Sequence, residues 1–341
     1  MQFHLVLPGL GWAIVPTAAL PPLPALAALL GHARHSWQPS SAPETWLAAR
    51  FGLETGRLPY AALRRAGEAT PPTADAHWLC VDPVHLHFAR EHLLLADASM
   101  LGIGRDEADA LIKGLNETFA DIGRFEAPTP ERWYVALPDE PQPFFHPIAD
   151  VNGRPVQLFM PEGNDIARWA RLTNEIEVWL YNHPVNAARE AAGQRSINGV
   201  WLWGAGPREL PLRAPARQVQ ADTPFTRGLA RAAGADLTPA DRFRPHAEGG
   251  FAHVDSLHLP ALRQDTSAWR AGLEALERDW FAPLLAALKA KQIRRLVISA
   301  PGDKHSLQIE VEAAGLWKFW RKPRPLAELL ATAPQVQAQN P

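Results

Sequence analysis

Apolar and polar positions follow two periods along this chain, and each change of period marks a predicted element. "FHLVL" (3–7) is a nearly unbroken apolar run that stops at Pro8-Gly9, the pattern of a buried parallel strand. "PLPALAALLGHA" then predicts a helix from near Pro22 to Gly31, followed by a Pro/Ser-rich loop (38–43) and a helical pattern at 44–51. From about 75 to 147 the texture changes: "WLCVDPVHLHF", "HLLLAD" and "RWYVAL" predict strands around an amphipathic helix in "GRDEADALIKGLNETFA". A helix at 165–181 sets Ile166, Trp169, Leu172, Ile176 and Trp179 on one stripe at three- and four-residue spacing. Further on come a strand at 250–257, a long helix at 266–291 that Pro283 should kink, and a strand at 293–299. Strand, helix, strand in that order predicts a parallel sheet with a right-handed crossover.

Composition alters this picture only at its edges. The 341 residues are 47% hydrophobic and 21% charged, enough for a large buried core in one large or two ordinary domains. A formal charge of −2 exerts no overall pull on nucleic acid or anionic membrane, so neither is expected as a partner. Cys80 is the single cysteine, which rules out an internal disulfide and a cysteine-based zinc site and favours a reducing compartment. The apolar first thirty residues carry no Lys or Arg before Arg34 and are interrupted by prolines, unlike a signal peptide, and no stretch of about 18 apolar residues escapes Pro or charge. The expected location is cytoplasmic.

The densest chemistry lies in "NHPVNAAREAAGQRSINGVWLWGAGP" (182–207). Pro184 ends the preceding helix and suits the first turn of a new one, which Gly193 can terminate; "GVWLW" is then a strand and Gly204-Ala205-Gly206-Pro207 the turn at its carboxyl end. Ligands usually sit at that end of strands in open α/β sheets. On spacing alone two readings stand: a binding site, or a connection shaped by Pro and Gly in which His183, Asn186 and Asn198 cap backbone groups. Gly204-Ala205-Gly206 is not a dinucleotide fingerprint, because Glu209 holds the third glycine's position.

This same stretch resembles the "HPVN…R…G…N…strand…GAG" segment of archaeal-type, cofactor-independent phosphoglycerate mutases, members of the alkaline-phosphatase-like superfamily. "LVLPGLGW", "PPLPALAALLGHA", "DPVHLHF", "RWYVAL", "FAHVDSLHL", "ALERDWFAPLL" and "VISAPGDKHS" resemble further landmarks in the same order, to about residue 306. As a whole the chain resembles, more closely, the proteobacterial RpfE-type regulatory proteins. The resemblance implies an α/β fold: an alkaline-phosphatase-like, mostly parallel sheet flanked by helices. It implies a discontinuous core (1–74 and 148–332), an inserted α+β subdomain (75–147) and a disordered tail (333–341).

It also implies a chemistry, in which two divalent metals held by Asp and His ligands activate a serine that is transiently phosphorylated. Several positions of that pattern are altered here. Pro8 stands where the family has an Asp before Gly-x-Gly. Matching on Gly52 puts Pro43 at the serine and Leu47 at the histidine of Ser-Asp-x-x-His; Ser40 and Ser41 are nearby, without the following Asp or His. Asp255 and His258 stand for an Asp-x-x-x-His pair one residue too close, and Lys304 splits an Asp-His doublet into Asp303 and His305. The expectation is therefore a degenerate, non-catalytic protein that binds a small anionic ligand or an unidentified protein partner in a regulatory role. No cofactor is expected beyond, at most, one divalent metal (Mn or Zn) at Asp255, His258, Asp303 and His305. The alternative is a metal-dependent phosphatase or phosphotransferase with relocated ligands and Ser40 or Ser41 as nucleophile.

His183, Asn186, Arg189 and Asn198 match the family motif residue by residue, which favours the binding reading with Gly204 and Gly206 as the turn. His85 and His87 alternate on a strand and point the same way, where the mutases carry Arg and Asn facing the cleft. His32 and His35 read as a helix end and loop. The run "LWKFWRKPRP" (316–325) interleaves aromatic and basic residues, which reads as an edge strand or as a surface for an acidic partner.

Overall fold

The computed structural model describes residues 1–12, 20–39, 42–54, 56–70, 72, 76–208, 210–302, 305–318 and 320–334. The chain divides into two compact units, Met1–Glu54 with Pro211–Pro341, and Thr55–Leu210. The first unit opens with β1 (Gln2–Val6), α1 (Pro24–His32), β2 (Arg34–Pro39) and α2 (Pro43–Arg50). Helix α1 runs one residue past Gly31, and β2 occupies what the sequence read as loop. Gly31 is there for closeness rather than termination: a Cβ on it would lie 2.3 Å from the Lys322 carbonyl oxygen.

The second unit follows without interruption as α3 (Tyr60–Ala66), β3 (His77–Ala89), β4 (His92–Ala96), α4 (Arg105–Thr118), β5 (Arg124–Thr129), β6 (Arg132–Leu137), α5 (Ile148–Val151), α6 (Ile166–Tyr181), α7 (Pro184–Ala191) and β7 (Gly199–Trp203). Its sheet runs β4-β3-β6-β5, with β7 antiparallel to β3 from Cys80–Trp203 to Val84–Gly199. That pairing corrects the expected boundaries: residues 148–210 belong with this unit, because β7 hydrogen-bonds to β3 and α6 buries Trp169, Leu172, Ile176 and Leu180 in the same core. Cys80 lies in that core, where burial pushes its thiol up and leaves it a packing residue.

A charged cluster holds the middle of this unit. Arg64 meets Asp82 with two bonds of 2.8 and 2.7 Å, and Asp82 also accepts from Trp203 Nε1 (2.8 Å) and the Trp133 amide (3.1 Å). Glu68 accepts from Arg132 and from the Tyr134 hydroxyl. Asp82 and Glu68 thus meet an opposite charge and further hydrogen-bond donors, while the Arg64 guanidinium, whose Nε has no hydrogen-bond partner among the described residues, lies 4.6 Å from the centre of the Tyr134 ring.

The chain then returns to the first unit with β8 (Gln218–Ala221), α8 (Pro224–Ala232), β9 (Asp236–Thr238), β10 (Gly250–His253), α9 (His258–Leu262), α10 (Thr266–Leu276), α11 (Ala282–Lys289), β11 (Arg295–Ala300), β12 (His305–Glu312) and α12 (Leu326–Leu330). Its seven-stranded sheet has the order β2-β12-β11-β1-β10-β8-β9. Strands β11, β1, β10, β8 and β9 are mutually parallel, as expected, and β12 is antiparallel to β11. On one face, Phe3, Leu5, Ile298 and Ile309 pack with Leu26 and Leu29 of α1, Trp269 and Leu273 of α10, and Leu284 and Leu288 of α11. Each such fully buried side chain contributes about 1.5–3 kcal/mol relative to exposure. The other face carries His4, Phe251, His253 and Ser299, with Phe51 edge-on to Phe251 at 5.8 Å.

The kink at Pro283 takes the form of a π-helical turn, Glu277–Phe281, between α10 and α11. Proline cannot donate to the Asp279 carbonyl one turn back, and that oxygen instead accepts the Phe243 amide at 2.9 Å. The edge strand expected at 316–325 does not form. Alternation in "HSLQIEVE" makes β12 just before it, and the described residues of the basic-aromatic run are turn and loop. The tail expected at 333–341 lies, from 335 onward, outside the described residues. Among the described residues no helix is long and apolar enough to cross a membrane.

Candidate functional site

Parallel strands deliver their next residues to the carboxyl edge of the sheet, and in the first unit that edge gathers four turns. After β1 comes Leu7, whose amide donates to Ser299 O (2.8 Å), then buried Pro8 and Gly9 at φ +84°. Gly9 is required twice over, by its positive φ and because a Cβ there would stand 2.5 Å from Leu257 O; its carbonyl accepts Trp269 Nε1 at 2.9 Å. The first family ligand position is therefore filled by a packed ring with no donor atom. Pro43 begins α2, and Leu47, at the expected histidine position, is buried.

His253 ends β10, Asp255 lies two residues on before α9, and the His258 amide donates to Asp255 O at 3.2 Å. His253 Nδ1 lies 2.7 Å from Thr226 Oγ1, which in turn lies 2.8 Å from Thr223 Oγ1. Burial, helped by His258, lowers the His253 pKa to about 3 and keeps the imidazole neutral. Its Nε2 stands 3.9 Å from an Asp255 carboxylate oxygen. Burial raises the Asp255 pKa to about 6, with His258 opposing and Glu44 adding to the shift. Beneath them, on the same sheet face, His4 Nε2 meets Ser299 Oγ at 2.9 Å, and burial together with Arg50 lowers its pKa to about 4.

A cavity of about 320 Å³ opens beside this cluster, bordered by Asp222, Asp241, His253, Asp255, Asp279 and Trp280. Three of those carboxylates have partners: Asp222 accepts the Ala240 amide, Asp241 pairs with Arg244 and Asp279 with Arg278. The lining is acidic around a neutral imidazole, which suits hydrogen-bond donors better than anions.

Of the four expected metal ligands, Asp255 and His258 stand together at the start of α9, and His305 opens β12 opposite Pro39. Asp303 lies outside the described residues, as do the candidate nucleophiles Ser40 and Ser41. Among the described residues no three His, Cys, Asp or Glu side chains are grouped to hold a metal ion. With Pro8 and Leu47 in place of donors, this edge does not fit the bimetal centre that the family resemblance implies. Sequence reasoning passed over His4, Thr226, His253 and Ser299. A polar residue in an otherwise apolar strand was the available signal, and His4 in "FHLVL" carries it.

In the second unit the 182–207 residues are brought together, but their polar atoms serve the fold. His183 caps α7, its Nδ1 accepting the Val185 amide at 3.2 Å. Asn186 donates to Leu180 O and Ile197 O and accepts Ile197 N, at 2.7–2.8 Å. Arg189, 1% exposed, donates to Arg195 O (2.8 Å), Leu101 O and Glu107 Oε2 (2.7 Å). Asn198 pairs with both Leu86 N (2.7 Å) and Leu86 O (2.8 Å), extending the β3–β7 ladder by one step with a side-chain amide. Gly204 and Gly206 let the chain approach the start of α3, where a Cβ would meet Ala61 N at 3.0 Å and Pro59 Cα at 2.8 Å.

Against the expectation that these residues hold an anion, Asn186, Arg189 and Asn198 direct their polar atoms to backbone groups and, for Arg189, to Glu107. His183 borders an open groove of about 1090 Å³ beside Phe119, Val178 and Trp179. His85 and His87 do point the same way, stacked at 5.7 Å and 14°. His85 Nδ1 bonds to Ser196 O at 2.8 Å, while buried His87 Nδ1 has no hydrogen-bond partner among the described residues.

The first unit is a mixed α/β sheet flanked by helices, with a second unit placed within its chain. In agreement with this, the PH0037 protein from Pyrococcus horikoshii superposes with a TM-score of 0.55 over 91% of this chain and 87% of that one, at 14% identity. No protein-family model matches the sequence. The 2,3-bisphosphoglycerate-independent phosphoglycerate mutase 2 of Methanothermobacter thermautotrophicus is 29% identical over 163 residues, 45% of this chain and 36% of that protein. The corresponding mutase of Methanothrix thermoacetophila is 34% identical over 61 residues, 18% of this chain and 16% of that protein. Over these segments the chain is similar to phosphoglycerate mutases, and the matched part spans about a third of the first of these relatives.

Proposed function

We propose that this chain is a phosphoglycerate-mutase-like protein without phosphotransfer activity, whose acidic cleft binds a small ligand in a regulatory role of the RpfE type. The observation that carries the reading is the apolar filling of the carboxyl edge. Pro8 is buried at the end of β1 and Leu47 is buried in α2, where the related enzymes need an oxygen and a nitrogen donor. Without those donors a two-metal site has neither the charge to polarise a phosphoryl group nor the means to activate a hydroxyl.

Asp222, Asp255, Thr223 and Ser256 line the neighbouring cavity with acceptors and hydroxyls. The ligand we favour is therefore an uncharged or cationic molecule rich in donors, in place of the anion expected from the sequence. Two measurements test the reading. Pure protein with manganese and 3-phosphoglycerate is expected to form no 2-phosphoglycerate, and robust turnover would refute it. A thermal-shift screen is expected to favour polyols and amines over phosphorylated metabolites; stabilisation by phosphates alone would reverse the assignment of ligand class.

A further inference from the structure

The basic-aromatic run has no part in the cleft. Trp317 and Trp320 are 65% and 57% exposed, and their rings meet edge to face at 5.1 Å. Lys318, Arg321, Lys322 and Arg324 interleave with them, and no carboxylate occurs between Ala313 and Ala327. Among the described residues Lys318, Arg321 and Lys322 form no ion pair, while Arg324 stands 4.0 Å from Glu328. The loop is fixed from below. His32 Nδ1 meets Gly315 O at 3.1 Å, the Arg324 amide donates to Ala27 O at 2.9 Å, and the Lys322 carbonyl rests against Gly31. The local field is positive: His35, 3.3 Å from Arg324, has its pKa lowered by burial and by that guanidinium.

We propose that this loop is a peripheral docking site for an anionic lipid bilayer, with Trp317 and Trp320 entering the headgroup layer and Lys318, Arg321 and Lys322 lying against its phosphates. Indoles favour that interface because one edge is polar and the body apolar, and basic side chains beside them are drawn to the negative surface. The chain's charge of −2 hides this, since attraction decays within about 10 Å and only local charge counts. Single-stranded nucleic acid also seeks aromatic and basic groups, but bases stack on open parallel faces. Here the two rings are turned 84° to one another, so one ring's edge closes the other's face. A peptide partner would require a groove, and these side chains stand on a loop.

The test is co-sedimentation of the full chain with phosphatidylcholine vesicles, with and without about 30% phosphatidylglycerol. Binding is expected to the anionic vesicles alone and to fall as salt is raised. Lys318→Gln/Arg321→Gln/Lys322→Gln should lower partitioning roughly a hundredfold, since each cation near such a surface is worth about fivefold. Trp317→Ala/Trp320→Ala should lower it by about tenfold or more. Trp317, Trp320, Arg321 and Lys322 are exposed and Lys318 is half-buried, so a melting temperature measured for each variant separates lost docking from lost folding. Failure to bind anionic vesicles, binding indifferent to both variants, or capture of an oligonucleotide or acidic peptide by these residues while vesicles are ignored would each overturn the proposal.

Discussion

Replacing Arg189 with alanine decides between the two readings of the 182–207 stretch. The guanidinium is buried and joins three separate segments through Arg195 O, Leu101 O and Glu107. Glu107 also accepts the Gly104 amide at 2.8 Å, so the same carboxylate fastens the first turn of α4. Removing the cation leaves two carbonyls without their donor, and breaking one side of a buried pair costs about 3–5 kcal/mol. For a unit of this size about 1 kcal/mol moves the melting temperature by about 2–4 °C, so Arg189→Ala should lower it by about 10 °C. Arg189→Lys should fall between, since an ammonium reaches Glu107 but cannot serve three directions at once. The assay is urea titration followed by circular dichroism, with hydrogen exchange read in α7. A melting temperature within about 2 °C of the parent, together with lost affinity for an anion, would refute the structural reading and restore a binding role.

Asp82→Ala should be as damaging, about 3–5 kcal/mol in the same titration, because it strands the buried Arg64 guanidinium and frees Trp203 Nε1; a loss under 1 kcal/mol would show that the cluster tolerates an unpaired charge. Gly9→Ala should cost about 1–3 kcal/mol in the first unit, from a positive φ and a Cβ 2.5 Å from a carbonyl, while leaving the exchange rates of the second unit unchanged. His4 and His253 stay neutral in the native state, with pKa values lowered to about 4 and about 3. Below about pH 6.5 the unfolded chain therefore binds two protons on these histidines that the native one does not, so their contribution to stability is complete above that pH and is lost as pH falls toward 4. Asp255, raised to about 6 in the native state, offsets part of the loss. Thermal melts from pH 7 to 4.5 should show this slope, and His4→Gln should make it shallower; an unchanged slope would place the titration elsewhere.

Long elements with a clear period were legible in the sequence. The stripe on α6, the helical start at Pro184 and the apolar run of β1 each repeat a signal often enough to fix both type and position. Strands β8, β9 and β5 were missed: at three to six residues they show no usable alternation, and pairing with neighbours defines them. The misplaced edge strand has a related cause. Alternating aromatic and basic residues imitate a half-buried strand, but the tryptophans at 317 and 320 are three apart and belong to a turn. At the site, sequence registered which residues were missing, because proline and leucine have no donor wherever they fall. It did not register what the motif residues do. An asparagine paired to a strand and an asparagine paired to a ligand read alike until the second strand is in view.

The turn that accommodates Pro283 reaches farther than its own helix. Glu277, at the start of that turn, accepts the amides of Ala25 (2.5 Å) and Leu26 (3.2 Å), closing the first turn of α1, whose own leading residue Leu23 has no side-chain oxygen. A helix made before the second unit thus obtains its cap from a residue some 250 positions later. Thr55–Leu210, contiguous in sequence, has all its pairing partners before then, so on the ribosome the intervening unit should mature first, leaving the earlier-made α1 waiting for the end of the chain.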